Sequence, residues 1–213
     1  MSKVFRLPRV YPLTDTRVSG LSHAAQLEKL ALGGASLVQF RDKSLSAREF
    51  CDQISAALVV ARQHGVTTLI NDRVDLAIAC GADGVHLGQD DLSPAVARKL
   101  MGDDAIIGYS THNLEQAKLA AALPINYLAV GPIFQTTTKS DTFPVVGLDG
   151  IRAIRAALKE MPIVAIGGIT RDTASAVIRA GADSVAMISA LLASPDLIET
   201  TTGNLIQALS NLD

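Results

Sequence analysis

Eight alternations of a short apolar run with a longer helical stretch predict an α/β protein: one domain over residues 1–213, closed as a (β/α)8 TIM barrel. Three observations carry this expectation. Several runs are apolar on consecutive positions, as in Ile163-Val164-Ala165-Ile166, which is how parallel strands covered on both faces read. The stretches between them are rich in Ala and Leu at helical spacing. A weak internal repeat also recurs at helix ends: Ala-Cys-Gly-Ala-Asp-Gly-Val over 79–85 resembles Arg-Ala-Gly-Ala-Asp-Ser-Val over 179–185, and 32–38 is similar. An open doubly wound sheet is the alternative. The first strand, however, is not followed by the G-x-G-x-x-G that would bring a dinucleotide to it.

The elements follow in order. Strands are expected over residues 9–15, 37–42, 67–72, 84–88, 106–110, 127–132, 163–168 and 184–189. Helices are expected at His23–Leu32, Ala47–His64, 73–80, 93–101, 114–122, 148–159, 171–180 and 202–211. Ser46, three residues before Glu49, reads as a capping box for the second helix. Ser93-Pro94 puts proline at a first helical position, where its missing N–H costs nothing. Asn113 is placed to cap the helix from Leu114. Gly33, Gly65, Gly81 and Gly181 each follow a helix, where a left-handed turn favours glycine. The longest connection, 134–147, reads as a lid over the strand C-termini.

Composition narrows the function. Hydrophobic residues make up 48% of the 213, enough for a sizeable core. The net charge of −2 and a pI near 6.1 argue against general nucleic-acid binding. Cys51 and Cys80 lie far apart without CxxC spacing, so they read as small buried hydrophobes rather than a disulfide or metal pair. Residues 1–8 lack the apolar core of a secretory signal, and no apolar run approaches a membrane span, so a cytoplasmic protein away from membranes is expected. A homo-oligomer is left open, because an exposed apolar helix face and an interface face read alike in sequence.

In a barrel the residues just after each strand converge on one rim. After the second strand come Gln39, Arg41 and Lys43. Alternation would aim them to one side as a clamp for phosphate or diphosphate, unless they form a solvated strand end. Asn71 and Asp72 follow the third strand and Asp91 the fourth. Each acid could cap the next helix, but two on adjacent strand ends suit a shared hard cation, Mg²⁺. Ser110 ends the fifth strand as a hydrogen-bond donor. His112 reads as exposed, and His86 as a satisfied core histidine. Thr136-Thr137-Thr138-Lys139 brings hydroxyls and an ammonium to the long loop. Gly167-Gly168 ends the seventh strand, and Ile188-Ser189 ends the eighth before a short extra helix. Barrels commonly bind phosphate there, although a diglycine also serves as a plain tight turn. The chain has no evident Ser-His-Asp triad, reactive cysteine or acid–base pair. Lys139 sits beside threonines rather than in the apolar setting a Schiff-base lysine needs. The inventory suits charge stabilisation, as in Mg²⁺-assisted departure of pyrophosphate.

Taken together, these motifs resemble the thiamine phosphate synthase family almost end to end. The resemblance is carried by Tyr11-Pro12-Leu13-Thr14-Asp15, Gln39-Phe40-Arg41-Asp42-Lys43, Ile70-Asn71-Asp72-Arg73, Gly84-Val85-His86-Leu87-Gly88-Gln89-Asp90-Asp91, Gly131-Pro132-Ile133-Phe134 with Thr136-x-Thr138-Lys139, Ala165-Ile166-Gly167-Gly168-Ile169, and Ala186-Met187-Ile188-Ser189. It implies a transferase that joins hydroxymethylpyrimidine diphosphate to hydroxyethylthiazole phosphate through a carbocation-like step, with no enzyme nucleophile. By the same resemblance, Asp72 and Asp91 ligate Mg²⁺, and Gln39, Arg41, Lys43 and Asn71 hold the pyrimidine diphosphate. Arg41, Ser110 and Lys139 act in catalysis, the last two on the leaving pyrophosphate. Thr136, Thr138, Gly168, Ile188 and Ser189 contact the thiazole phosphate side. Gln135 departs from the family pattern, which often has proline before the first threonine; that bears on loop stiffness rather than chemistry. The rivals are a thiazole tautomerase, which would not need both acids together with the Thr-x-Thr-Lys loop, and a non-catalytic phosphate-ligand sensor.

Overall fold

The computed structural model describes residues 5–136 and 143–212. The eight expected strands are all there, and each pairs in parallel with its neighbours in sequence order: β1 (Val10–Thr14), β2 (Leu37–Phe40), β3 (Thr67–Asn71), β4 (Gly84–Leu87), β5 (Ile106–Thr111), β6 (Tyr127–Val130), β7 (Ile163–Ile166) and β8 (Ser184–Met187). β1 also pairs with β8, through Val10 with Val185, Tyr11 with Ala186 and Pro12 with Met187, which closes the barrel. The open-sheet alternative is thereby excluded.

Among the described residues the helices are α1 (Thr16–Ser19), α2 (His23–Leu32), α3 (Ala47–His64), α4 (Val74–Cys80), α5 (Pro94–Met101), α6 (Leu114–Ala120), α7 (Gly147–Ala157), α8 (Arg171–Arg179), α9 (Ser189–Leu192) and α10 (Ile198–Ser210). The Ser46–Glu49 capping box forms, and Asn113 accepts from the Gln116 N–H. Two sequence expectations shift. The last helix starts at Ile198 rather than near 202, directly after a 3-10 turn at Pro195–Leu197 that feeds into it. Gly33 is not left-handed, with φ −73°; a Cβ there would stand 2.6 Å from the Glu199 carbonyl oxygen and 2.8 Å from Thr202 Cβ, so the glycine serves the close approach of α10. Gly65 and Gly81 do take the left-handed cap.

Strand alternation sorts the core. Val38, Phe40, Ile70, Val85, Leu87, Ile107, Leu128 and Val130 are fully buried and belong to one continuous apolar cluster with the inward faces of the helices. Tyr11, Leu13, Gln39, Asn71, His86, Ala129, Val164, Ile166 and Ala186 instead line the barrel interior, with Arg41 just past β2. At the N-terminal ends of the strands two arginines tie loops together. Arg98 donates to the carbonyls of Gly102, Asp103, Ala105 and Pro124 and to Asn126 Oδ1. Arg155 donates to the carbonyls of Gly181, Leu158, Lys159 and Met161 and to the Asp183 carboxylate. Cys51 and Cys80, distant in sequence, meet where α3 packs on α4, with their sulfurs 3.0 Å apart and half-buried; burial pushes the Cys80 thiol up to about 11. No helix among the described residues is long and apolar enough to cross a membrane.

Candidate active site

The strand C-termini open into one wide cavity lined by Arg41, Lys43, Asn71, Asp72, Asp91, Ser110, Thr136, Gly168, Ile188 and Ser189. Ten of the residues picked out from the sequence therefore share one basin, and Gln39 lies just beneath it in a crevice of about 10 Å³, scarcely room for one water.

The β2 end divides its side chains. Pairing stops at Phe40, yet Gln39 and Arg41 keep the alternation and point into the barrel, 2% and 4% exposed. A solvated strand end is ruled out for these two. Lys43 lies past the strand and is half exposed. Arg41 meets a carboxylate the sequence reading did not single out. Asp15, 1% exposed, caps α1 through the Arg17 N–H and stands 3.3 Å from Arg41 Nη1. Among the described residues, Arg41 Nε and Gln39 Oε1 are both buried without a hydrogen-bond partner. A buried polar group left unpaired carries a penalty that a ligand can remove, so these two atoms mark where a polar ligand is wanted.

The acids of β3 and β4 converge. Asp72 takes a left-handed φ of 64°, and its N–H donates to the His86 carbonyl at 2.7 Å. The following helix is capped at Arg73 with no side-chain bond, so Asp72 is not its cap. Asp91 accepts the Gly88 N–H at 2.7 Å, while Ser93 caps α5. Both carboxylates are thus free of the capping role. Burial pushes the Asp91 carboxyl above its ordinary value. The Gly88 N–H works against that rise, the charge and hydrogen bond of Asp72 add to it, and the Lys43 ammonium opposes it. Lys43 Nζ lies 2.5 Å from Asp72 Oδ2. Adjacent carboxylates with a cation already drawn to them have the donor chemistry that a hard divalent ion takes, completed by water and phosphate oxygens. Among the described residues no group of three or more His, Cys, Asp or Glu gathers as a richer metal site.

On β5, Ser110 Oγ lies 2.9 Å from His86 Nε2, and His86 Nδ1 lies 3.0 Å from the Tyr127 hydroxyl. His86 is therefore a buried, hydrogen-bonded histidine, as its sequence suggested. His112 is not simply exposed: its Nδ1 is 2.6 Å from the Gly131 carbonyl oxygen, and its ring stacks on Phe143 with centroids 3.6 Å apart. Gly167 and Gly168 take φ of 100° and 65°. A Cβ on Gly168 would stand 2.4 Å from the Gln135 carbonyl oxygen, so the diglycine is required by the close passage of the loop after β6. Thr138 and Lys139, and the part of the lid over 137–142, lie outside the described residues. Sequence reasoning gave no role to Tyr11 and Asp15, quoted only within a motif, and missed Tyr127 and Phe143. Asp15 directly after an apolar strand carried the same signal as Asp72. The tyrosines carried only a polar tip inside an apolar run.

Comparison with known proteins decides the family. The family model described as thiamine monophosphate synthase matches residues 10–191. The chain belongs to this family of transferases. A thiamine-phosphate synthase of Koribacter versatilis is 48% identical over 202 residues, covering 92% of this chain and 94% of that one. Another, from Chloroflexus aurantiacus, is 47% identical over 190 residues, covering 89% and 87%. Among solved structures, a thiamine phosphate pyrophosphorylase from Pyrococcus furiosus superposes with a TM-score of 0.85 at 33% identity, covering 96% of each chain.

Proposed function

We propose that this enzyme joins hydroxymethylpyrimidine diphosphate to hydroxyethylthiazole phosphate, releasing pyrophosphate and forming thiamine phosphate, with Mg²⁺ as cofactor. The observation that carries the reading is the rim itself: paired carboxylates Asp72 and Asp91 beside Arg41 and Lys43, above a crevice edged by the unpaired Gln39 Oε1. A diphosphate needs cationic and hard-ion partners, and an aminopyrimidine offers an N–H that a buried amide oxygen can accept.

Bound by Asp72 and Asp91, Mg²⁺ would neutralise charge on the leaving pyrophosphate. The chain supplies the rest. Arg41 has an unspent Nε–H to give an anionic oxygen and is held in place by Asp15. Lys43 exchanges its contact with Asp72 for a phosphate oxygen. Ser110, fixed by His86, donates to the departing group. Asn71, beside Asp72, orients the pyrimidine end. Lys139 adds an ammonium to the pyrophosphate. Thr136, Thr138 and the β7 and β8 loops with Gly168, Ile188 and Ser189 receive the thiazole phosphate. These roles follow the family resemblance. Charge is stabilised as the pyrimidine–oxygen bond opens, and the thiazole nitrogen attacks without an enzyme nucleophile.

The test is incubation of the purified protein with both phosphorylated halves, with Mg²⁺ or with EDTA. Thiamine phosphate and pyrophosphate forming together only with Mg²⁺ is the expected result. Products forming equally in EDTA would sink the metal assignment. No product from folded protein would leave a tautomerase or a ligand sensor as the reading.

A further inference from the structure

Beneath the rim a chain of hydrogen bonds crosses the barrel from Gln39 to Ser110. The Gln39 amide Nε2 donates to the Tyr11 hydroxyl at 2.8 Å; Tyr11 and Tyr127 hydroxyls are 3.0 Å apart; Tyr127 reaches His86 Nδ1 at 3.0 Å; His86 Nε2 reaches Ser110 Oγ at 2.9 Å. Each phenol has one proton to give. Because Tyr11 already accepts from an amide, its proton goes to Tyr127, and Tyr127 must then donate to His86 Nδ1. That leaves the histidine proton on Nε2, pointing at Ser110. Serine, accepting there, has its own proton free for the cavity it lines.

The surroundings enforce the arrangement. Tyr11 and Tyr127 are 1% and 0% exposed, and burial raises both phenols well above their ordinary value, so each keeps its proton. The two rings meet edge to face at 5.9 Å, and His86 stacks on Tyr127 at 5.6 Å. A Cβ on Gly108 would lie 2.3 Å from the Tyr127 hydroxyl and 2.6 Å from His86 Nδ1, so that glycine holds the space the chain occupies.

We propose that Gln39, Tyr11, Tyr127 and His86 form a one-way relay that presents Ser110 as a hydrogen-bond donor to the reacting anion. Tyr11, Tyr127 and His86 are positioning residues here, acting through Ser110. The donor role rests on the reaction proposed above; the direction of the relay does not. The test has two readouts. Ring ¹⁵N NMR of the histidine-labelled protein, with His86 assigned by loss of its signals in His86→Gln, reports the tautomer without any assay. The expected form is protonated on Nε2 and bare on Nδ1. In turnover, Tyr127→Phe keeps the ring and removes one hydroxyl, and kcat should fall about tenfold with KM for the pyrimidine diphosphate unchanged. In a Ser110→Ala background the same change should cost nothing further, since a purely structural effect would add. An Nδ1–H tautomer in a protein that turns over, or additive losses, overturns the relay. The expected tautomer in a protein that makes no thiamine phosphate overturns the reaction and with it the donor role of Ser110.

Discussion

The two ends of the barrel use arginine in opposite ways. At the N-terminal end Arg98 and Arg155 each give their protons to four backbone carbonyls and one side chain, binding successive loops together. At the C-terminal end Arg41 is more deeply buried, meets one carboxylate, and keeps Nε unpaired. A guanidinium that has spent its donors holds a fold together. One that has been desolvated and left with a spare donor is poised for an anion, since only a ligand can recover the hydrogen bond lost to burial. The carboxylates follow the same division. Asp183 at the lower end is satisfied by Arg155 and the Ile163 N–H, whereas Asp72 and Asp91 are set against each other.

The comparison breaks first at the acids. Asp91→Ala or Asp72→Ala should lower kcat about a thousandfold or more, because the cation's charge stabilisation is lost, while thermal unfolding barely moves. Wild-type turnover in either variant, measured with saturating Mg²⁺, would sink the metal assignment. Arg155→Ala should do the reverse: about 2–4 kcal/mol of stability lost in urea unfolding, from several orphaned carbonyls, with kcat near wild type in the surviving folded protein. A large kcat loss there would mean that the two ends are not independent.

A smaller effect is expected of His23, buried beside Asp42 and bonded to the Thr14 hydroxyl. Burial pushes its imidazole down to about 4, against the pull of Asp42 and Asp15. The sign follows from where the proton goes. Below pH about 6.5 the unfolded chain binds a proton that the folded one refuses. Stability is therefore full above that pH and falls as pH drops towards about 4, by about 3 kcal/mol. Urea midpoints of His23→Gln should lack this part of the acid slope; an unchanged slope would remove the assignment. The smallest change is expected from Lys43→Ala. Its ion pair with Asp72 is half exposed, so stability should move by less than about 1 kcal/mol. A larger loss in the same urea measurement would make Lys43 part of the scaffold rather than the clamp.

Much of the fold was legible because its signals are local. A capping box spans four residues, and Ser46–Glu49 formed as read. Apolar runs marked all eight strands, and caps such as Asn113 marked helix starts. Glycine was harder. Gly33 looked like a helix terminator, but its real constraint comes from Glu199 and Thr202, some 170 residues on. The rim residues were legible for a related reason: in a barrel they sit at the end of a strand or in the loop directly after it, so position in sequence maps onto position at the rim. The partners that give those residues their state were not. Asp15 holds Arg41 across 26 residues, and Tyr11 meets Tyr127 across 116. The two cysteines, read as unrelated, come into contact.

Periodicity, caps and the order of polar residues after each strand are properties of near neighbours, and the chain specifies them wherever it folds. Which carboxylate is paired, which guanidinium keeps a spare donor, and which way a buried chain of hydroxyls points depend on closing β1 onto β8. Only that closure brings remote side chains within hydrogen-bond distance and removes the water that would otherwise have satisfied them.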